Sequence, residues 1–415
     1  MANVLVLSLV FPPDNVSTAH IMGALSKDLK NFGHNISVIS TTPHYNIDTK
    51  AESNQRLSKS KMPFIRRSNY SGIDVLHIKM PKKSGNIFMR IISWMWFHIL
   101  SIIISLFYPK KLDIVIAPSP PLTIGLCAFI ISRFHKARYI YNVQEVYPDI
   151  AIKLGVLKNK IIIQLFYLIE KFIYSKAAFV TVISEGMKKN LLKKGVSEDK
   201  IRLIPNFVDD REMYPLSKLN NFSKQNSIYN KFVISYAGNM GISQGLDILV
   251  DAAYRLNENH DIIFLLVGDG TEKSALEEKV KAKRLNNFII LPFQNYDLVP
   301  QIYASSDLNV VSQAKGSKYN EIPSKVYRIM ACASAILAIT EEDSDLASLI
   351  KKAQCGYIVN PNEPEKLVNI ILKAYKERKD IIEYGKNGRQ FVLNGYTREG
   401  ITKMYNNLLV EVTKK

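Results

Sequence analysis

Residues Phe232-Val233-Ile234-Ser235-Tyr236-Ala237-Gly238-Asn239-Met240-Gly241-Ile242-Ser243-Gln244-Gly245 decide the fold. A largely apolar strand, Phe232–Ala237, runs into a glycine-spaced turn, and a stretch of helical period over Gln244–Asn257 follows. Strand, turn and helix in that order make half of a βαβ unit, whose amides face an anion where the strand ends. Such a cradle suits a diphosphate. Working outward, Ile262–Val267, Phe288–Leu291, Leu308–Val311, Ala335–Ile339 and Gly356–Val359 read as further strands. Helical stretches at Glu272–Lys283, Pro323–Ala331, Ser344–Lys352 and Glu363–Arg378 lie among them. The N-terminal half shows the same alternation, with strands at Val4–Val10, Ile36–Ser40, Val75–Ile78, Ile114–Ala117, Tyr139–Val143, Phe179–Ile183 and Arg202–Ile204. Helices Thr18–Phe32, Pro121–Phe134 and Ile161–Ser175 separate them. Near-continuous apolar strands between helices predict parallel sheets covered on both faces.

A chain of 415 residues exceeds the ~250–300 at which one core stops growing. The boundary falls at Pro205-Asn206-Phe207, after which Asp209–Ile228 is polar and irregular. The expectation is an α/β protein of two doubly wound, Rossmann-like domains facing a cleft, 1–205 and 206–395. With 47% hydrophobic and 22% charged residues, the chain is neither disordered, collagenous nor coiled-coil. Cys127, Cys332 and Cys355 form no disulfide framework and none has metal-ligand spacing to another, which predicts a reduced, cytoplasmic setting without metal. Met1-Ala2-Asn3 and the apolar run after it lack a basic n-region and a small-residue cleavage site, and read as a first strand.

The net charge of +18 is unevenly placed. Residues 1–205 hold 28 Lys and Arg against 12 Asp and Glu, and residues 206–415 hold 27 against 25. An excess confined to the first half points to an anionic surface there: nucleic acid, acidic lipid or a phosphorylated substrate. The segment Ile87–Tyr108 sits in that half. A buried helix, a membrane span and a helix lying in the membrane interface all fit its composition. Both tryptophans of the chain, Trp94 and Trp96, and the cations Lys79, Lys82, Lys83, Arg90, Lys110 and Lys111 favour membrane contact.

Other strand ends carry polar constellations. After the first strand, Ser17, Thr18 and His20 open a helix whose amides and hydroxyls suit an anion, the alternative being a plain N-cap. His44, after the second strand, is placed to line the same side. Gly268-Asp269-Gly270 opens another helix beside the first glycine turn. In Asn320-Glu321-Ile322-Pro323-Ser324-Lys325-Val326-Tyr327-Arg328, Pro323 at the first helical position leaves the amides of Ser324 and Lys325 outward. Lys325 and Arg328, in an otherwise apolar helix, call for anionic partners.

The GNMGISQG, VGDG and PSKVYRIMA segments, the IPNFVD boundary and the opening SLVFPPDNVSTAH together resemble the large nucleotide-sugar glycosyltransferase family with the GT-B fold, over essentially the whole chain. More narrowly, the chain is similar to the branch that adds N-acetyl-L-fucosamine to lipid-linked intermediates of bacterial O-antigen or capsule. The resemblance implies a UDP-sugar donor on the C-terminal domain and an undecaprenyl-diphosphate-linked acceptor on the N-terminal domain. It also implies retention of anomeric configuration, no metal, and a last helix, about 396–415, returning to the N-terminal domain. Gly238, Asn239, Gly241, Gln244, Gly268, Gly270, Ser324, Lys325 and Arg328 would then bind donor, with Lys325 also catalytic.

In Val143-Gln144-Glu145, the family's usual acidic position falls on Glu145, the candidate for contacting the acceptor hydroxyl or the developing oxocarbenium. The chain departs from the family where paired glutamates are usual, with Asn320 and Arg328 at those places and Glu321 one out of register. It departs again around the diphosphate, where Asn239 and Gln244 replace cations. Such an enzyme would work at the inner face of the cytoplasmic membrane. Two rivals are a soluble GT-B epimerase of UDP-sugars, which has no use for an aromatic, basic helix, and a nucleic-acid binder, for which no recognition motif is present.

Overall fold

The computed structural model describes all residues except 45–48, 61, 82–86, 154, 317–321 and 415, and leaves aside the side chains of 49–51, 87–88 and 90. The chain divides into two compact units, Met1–Asn206 with Arg398–Lys415, and Phe207–Thr397.

In the first unit the described strands are β1 (Asn3–Leu7), β2 (Asn35–Thr41), β3 (Ser58–Lys59), β4 (Ile65–Tyr70), β5 (Ile73–Ile78), β6 (Ile114–Pro118), β7 (Arg138–Val143), β8 (Phe179–Val182) and β9 (Ile201–Leu203). They form one sheet in the order β3-β4-β5-β2-β1-β6-β7-β8-β9. Pairing is parallel except along β3–β4–β5. The helices are α1 (Ser17–Asn31), α2 (Thr49–Asn54), α3 (Ile87–Ser105), α4 (Ile124–Phe134), α5 (Asp149–Lys153), α6 (Lys160–Lys176) and α7 (Glu185–Lys193). Strand order reverses between β1 and β6, and α1 opens beside that switch point, where such sheets hold their ligands. Crossovers running one way across the sheet share a face, so α3, α4 and α6 lie together and α1 lies on the other face.

The C-terminal helix, Arg398–Lys414, packs on α1. The Arg398 guanidinium holds the Asp28 carboxylate at 2.8 and 2.7 Å, and Asn142 donates to the Tyr405 hydroxyl at 2.8 Å.

The second unit has β10 (Phe232–Asn239), β11 (Ile262–Asp269), β12 (Phe288–Leu291), β13 (Leu308–Ser312), β14 (Ile336–Ile339) and β15 (Gly356–Val359). All are parallel in the order β12-β11-β10-β13-β14-β15, the doubly wound pattern with its switch between β10 and β13. Its helices are α8 (Asn221–Gln225), α9 (Asp247–Arg255), α10 (Lys273–Ala282), α11 (Val299–Ala304), α12 (Lys325–Ala331), α13 (Asp345–Ala353), α14 (Pro364–Lys376) and α15 (Arg378–Gly395).

Several expectations are corrected. The helix expected from Gln244 begins at Asp247, because Ile242–Gln244 closes a single 3-10 turn and Gly245 turns left-handed at φ 57°. The helix expected to open on Pro323 begins at Lys325, with Ser324 at the cap position and no capping bond from its side chain. Val16, not Ser17 or Thr18, caps α1. The Ile87–Tyr108 segment is helical only to Ser105, and no helix among the described residues is long and apolar enough to cross a membrane. Phe97, Leu100 and Ile104 of α3 are buried, while Met95, Trp96, Ile99 and Ile103 are exposed, so the helix is core on one face and bare on the other. Half-buried Tyr108 donates its hydroxyl to Asp74 at 3.0 Å, and burial pushes its pKa up to about 12.

Candidate active site

At the ends of β10 and β11 the two glycine turns lock together. Gly238 stands opposite Gly268, and Asn239 opposite Asp269, in the parallel register. Gly268 has φ +152°, and a Cβ there would run into the Gly238 carbonyl oxygen, so only glycine lets the two strand ends approach this closely. Beyond them the Met240 amide donates to the Asp269 carbonyl at 2.8 Å and the Glu272 amide to the Met240 carbonyl at 2.9 Å. The Tyr236 hydroxyl donates to the Asn239 carbonyl at 2.6 Å and fixes the first turn from beneath.

Sequence reasoning expected Gln244 to face a ligand. Its side-chain oxygen instead accepts from the Gly241 amide at 3.1 Å and from Asn239 Nδ2 at 3.4 Å, and its Nε2 donates to Ser243 Oγ at 2.8 Å. A side-chain carbonyl oxygen thus takes up the Gly241 amide, and the turn is closed on itself. The cause is local: three residues of 3-10 helix bring the Gln244 side chain back over the first residue of the turn.

Helix α12 supplies the charge. The Lys325 ammonium lies 3.6 Å from the centroid of the Tyr236 ring, with its Nζ buried. It also lies 2.8 Å from where a Gly238 Cβ would be, so Gly238, at φ +141°, leaves room for it. One turn on, the Arg328 guanidinium lies over Tyr296 at 5.3 Å. Burial raises the Tyr296 pKa against the pull of Arg328, so that ring stays neutral and keeps its negative face to the cation. Tyr236 and Tyr296 escaped the sequence reading. Tyr236 carried a usable signal, a polar tip on a buried strand one residue before a turn; Tyr296 carried none. Asn320 and Glu321 lie outside the described residues.

In the first unit, Ser17 and Thr18 are half-buried at the first positions of α1, and His20 Nε2 meets Asn15 Oδ1 at 2.6 Å. His44 is corrected as an acceptor residue, because it is only 8% exposed. Its amide donates to buried Asp14 at 3.1 Å, and its Nδ1 lies 3.1 Å from Thr41 Oγ1 and 3.0 Å from the Thr42 carbonyl. It braces the loop after β1. Glu145 is half-buried after β7, its backbone pinned by Ser119, whose Oγ donates to the Glu145 carbonyl at 3.2 Å. Of the membrane candidates, Trp96, Lys110 and Lys111 are exposed and Trp94 is half-buried, while the Arg90 side chain lies outside the described residues. Among the described residues no group of three or more His, Cys, Asp and Glu is arranged to hold a metal ion.

Two family models match this chain: glycosyl transferases group 1 over residues 217–391 and Glycosyltransferase Family 4 over residues 19–212. The chain is a GT-B glycosyltransferase of the group 1 and family 4 type. Among relatives, this glycosyltransferase is 25% identical over 384 residues to the colanic acid biosynthesis glycosyl transferase WcaI of Escherichia coli K12, covering 89% of this chain and 91% of that one. It is 28% identical over 271 residues to the glycosyltransferase WbjE of Pseudomonas aeruginosa, covering 63% and 66%. Its fold matches Anabaena HepE, solved in complex with UDP, at a TM-score of 0.72 and 14% identity over 99% of this chain and 100% of that one.

Proposed function

We propose that this glycosyltransferase moves an amino-deoxyhexose, N-acetyl-L-fucosamine, from UDP to an undecaprenyl-diphosphate-linked sugar. The setting is the inner face of the cytoplasmic membrane, and the product belongs to a bacterial surface polysaccharide such as O-antigen or capsule. The observation that carries the reading is Lys325, a cation delivered against the Gly238 turn at the switch point of the second sheet. A nucleotide sugar supplies the diphosphate such a cation needs, and the names of WcaI and the UDP complex of HepE support that class of donor and pathway.

Transfer breaks the bond from the anomeric carbon to the diphosphate oxygen, whose electron pair leaves with UDP, and forms a bond from that carbon to the acceptor oxygen, whose hydroxyl proton passes to the departing diphosphate. Stabilising the departing charge is usually the largest catalytic contribution. Lys325 and Arg328 supply it, without a metal, in place of the cations missing at Asn239 and Gln244. Gln244 releases the Gly241 amide as the diphosphate arrives, so that donor binding and turn opening are one event. Glu145 contacts the acceptor hydroxyl or the developing oxocarbenium, and Ser17, Thr18 and His20 bind the acceptor. The excess of cations in the first half of the chain suits an acceptor diphosphate and acidic headgroups together.

The test is incubation with a panel of UDP-sugars and a short-chain diphosphate-linked N-acetylglucosamine, products being read by mass. The expected product is the acceptor plus one amino-deoxyhexose, formed equally well with EDTA present. A UDP-sugar changed in configuration with the acceptor untouched would make the protein an epimerase instead, and no binding of UDP by calorimetry would remove the donor assignment.

A further inference from the structure

Helix α6 carries large apolar side chains on its outer face as well as its inner one. Its outward stripe, Ile161, Leu165, Leu168 and Phe172, recurs at helical spacing, with Ile161 78% and Leu168 66% exposed. Its inward face buries Ile173 and Tyr174 together with a glutamate, Glu170, only 2% exposed and held by Lys194 at 2.7 Å and by the Tyr174 hydroxyl at 3.0 Å. A helix folded for water keeps its outer face polar. The stripe is not isolated, because Phe172 meets Phe129 of α4 edge-on at 5.0 Å, and α4 in turn packs against α3. Ile130 and Phe134 of α4 are exposed as well, as is Phe107 beyond the end of α3 at 75%. These seven large apolar side chains are each between 37% and 78% exposed, and a contiguous apolar patch left in water marks a protein or membrane interaction site.

Charge identifies the occupant. Every exposed charge on α6 is a lysine, Lys160, Lys171 and Lys176, and exposed Lys153 and Lys158 precede it. At the far end of the face stand exposed Lys110 and Lys111. A second copy docked about a two-fold axis would set this cationic rim against itself. An anionic lipid surface accepts the apolar stripe and neutralises the rim at once. We propose that α6 is a second membrane-binding helix, so that the first unit rests on an anionic leaflet through α6 and α3 together, with α4 between them. This rests on the membrane reading above and extends it to a helix that reading did not use.

The experiment is co-sedimentation of the full chain with vesicles of equal parts phosphatidylglycerol and phosphatidylcholine, for wild type, Leu165→Gln with Leu168→Gln, Ile161→Gln alone, and Trp94→Ser with Trp96→Ser. Near-UV circular dichroism and calorimetric UDP binding serve as folding checks. The expected result is at least a tenfold loss of partitioning for the α6 double variant, a smaller loss for Ile161→Gln, and unchanged UDP affinity in both. Undiminished partitioning of both α6 variants, with loss in the tryptophan variant, would overturn the role of α6 and leave the membrane reading standing. Failure of the wild type to sediment would overturn both. A wild-type dimer in light scattering that the α6 substitutions dissociate without vesicles would assign the face to a second copy and overturn the proposal.

Discussion

At the scale of single residues, Lys325 and Glu170 make testable and opposite uses of burial. Lys325 sets its ammonium against an aromatic face, an interaction worth about 2 kcal/mol when desolvated. Lys325→Ala is expected to raise the donor KM or lower kcat at least tenfold in steady-state assays; unchanged kinetics would take it out of the site. Glu170 is pushed up to about 7, burial outweighing the pull of Lys194. Its folded-state pKa exceeds its unfolded value near 4.5, so the native state holds the proton longer and this residue's stabilisation fades as pH rises from about 4.5 to 7. Buried His77 and half-buried His98, lowered to about 4 by burial, act in the other direction, losing stabilisation as pH falls through the range from about 6.5 to 4. The clean measurement is therefore a difference. In chemical denaturation, Glu170→Gln should gain on the wild type as pH rises from about 4.5 to 7 by on the order of 3 kcal/mol, and a pH-independent difference would refute the assignment.

Elements show where a sequence can be read and where it cannot. Phe288–Leu291 and Gly356–Val359 were legible to the residue, because short apolar runs between turn residues have one reading. Strand β4, which Ser71 and Gly72 turn back from β5 with φ 52° and 79°, was not, because Arg66, Arg67 and Asn69 hide the alternation a strand would show. Helix α15 was missed because its core face is made partly of Gly385 and Gly388, which carry no apolar signal yet are buried. The glycine turns were legible as a motif, but the closure by Gln244 was not, since it depends on a 3-10 turn that propensity does not distinguish from the start of a helix. Gly268→Ala is the decisive substitution at this scale. With positive φ and no room for a Cβ, it should lower the unfolding free energy by about 3 kcal/mol or more and abolish UDP binding in calorimetry. Retention of both would mean that the two turns separate freely.

For the whole molecule, the first unit is assembled from both ends of the chain, a feature that only the family resemblance anticipated. Ile401, Tyr405, Leu408, Leu409 and Val412 of the C-terminal helix are all buried against it. At roughly 1.5–3 kcal/mol for each large apolar side chain, these five account for about 7–15 kcal/mol, as much as the entire net stability of an ordinary domain. The Arg398–Asp28 pair and the bond from Asn142 to Tyr405 add polar contacts between the returning helix and the rest of the unit. A fragment of residues 1–206 is therefore expected to lose its near-UV dichroism and its resistance to trypsin, although it contains every strand of its sheet. Residues 207–397 close their own core, with Tyr396 stacked on Tyr327 at 5.0 Å, and should stay folded when produced alone. Adding a peptide of residues 398–415 to the first fragment should restore its protease resistance. A 1–206 fragment as resistant as the full chain would show that the returning helix rests on a core already complete without it.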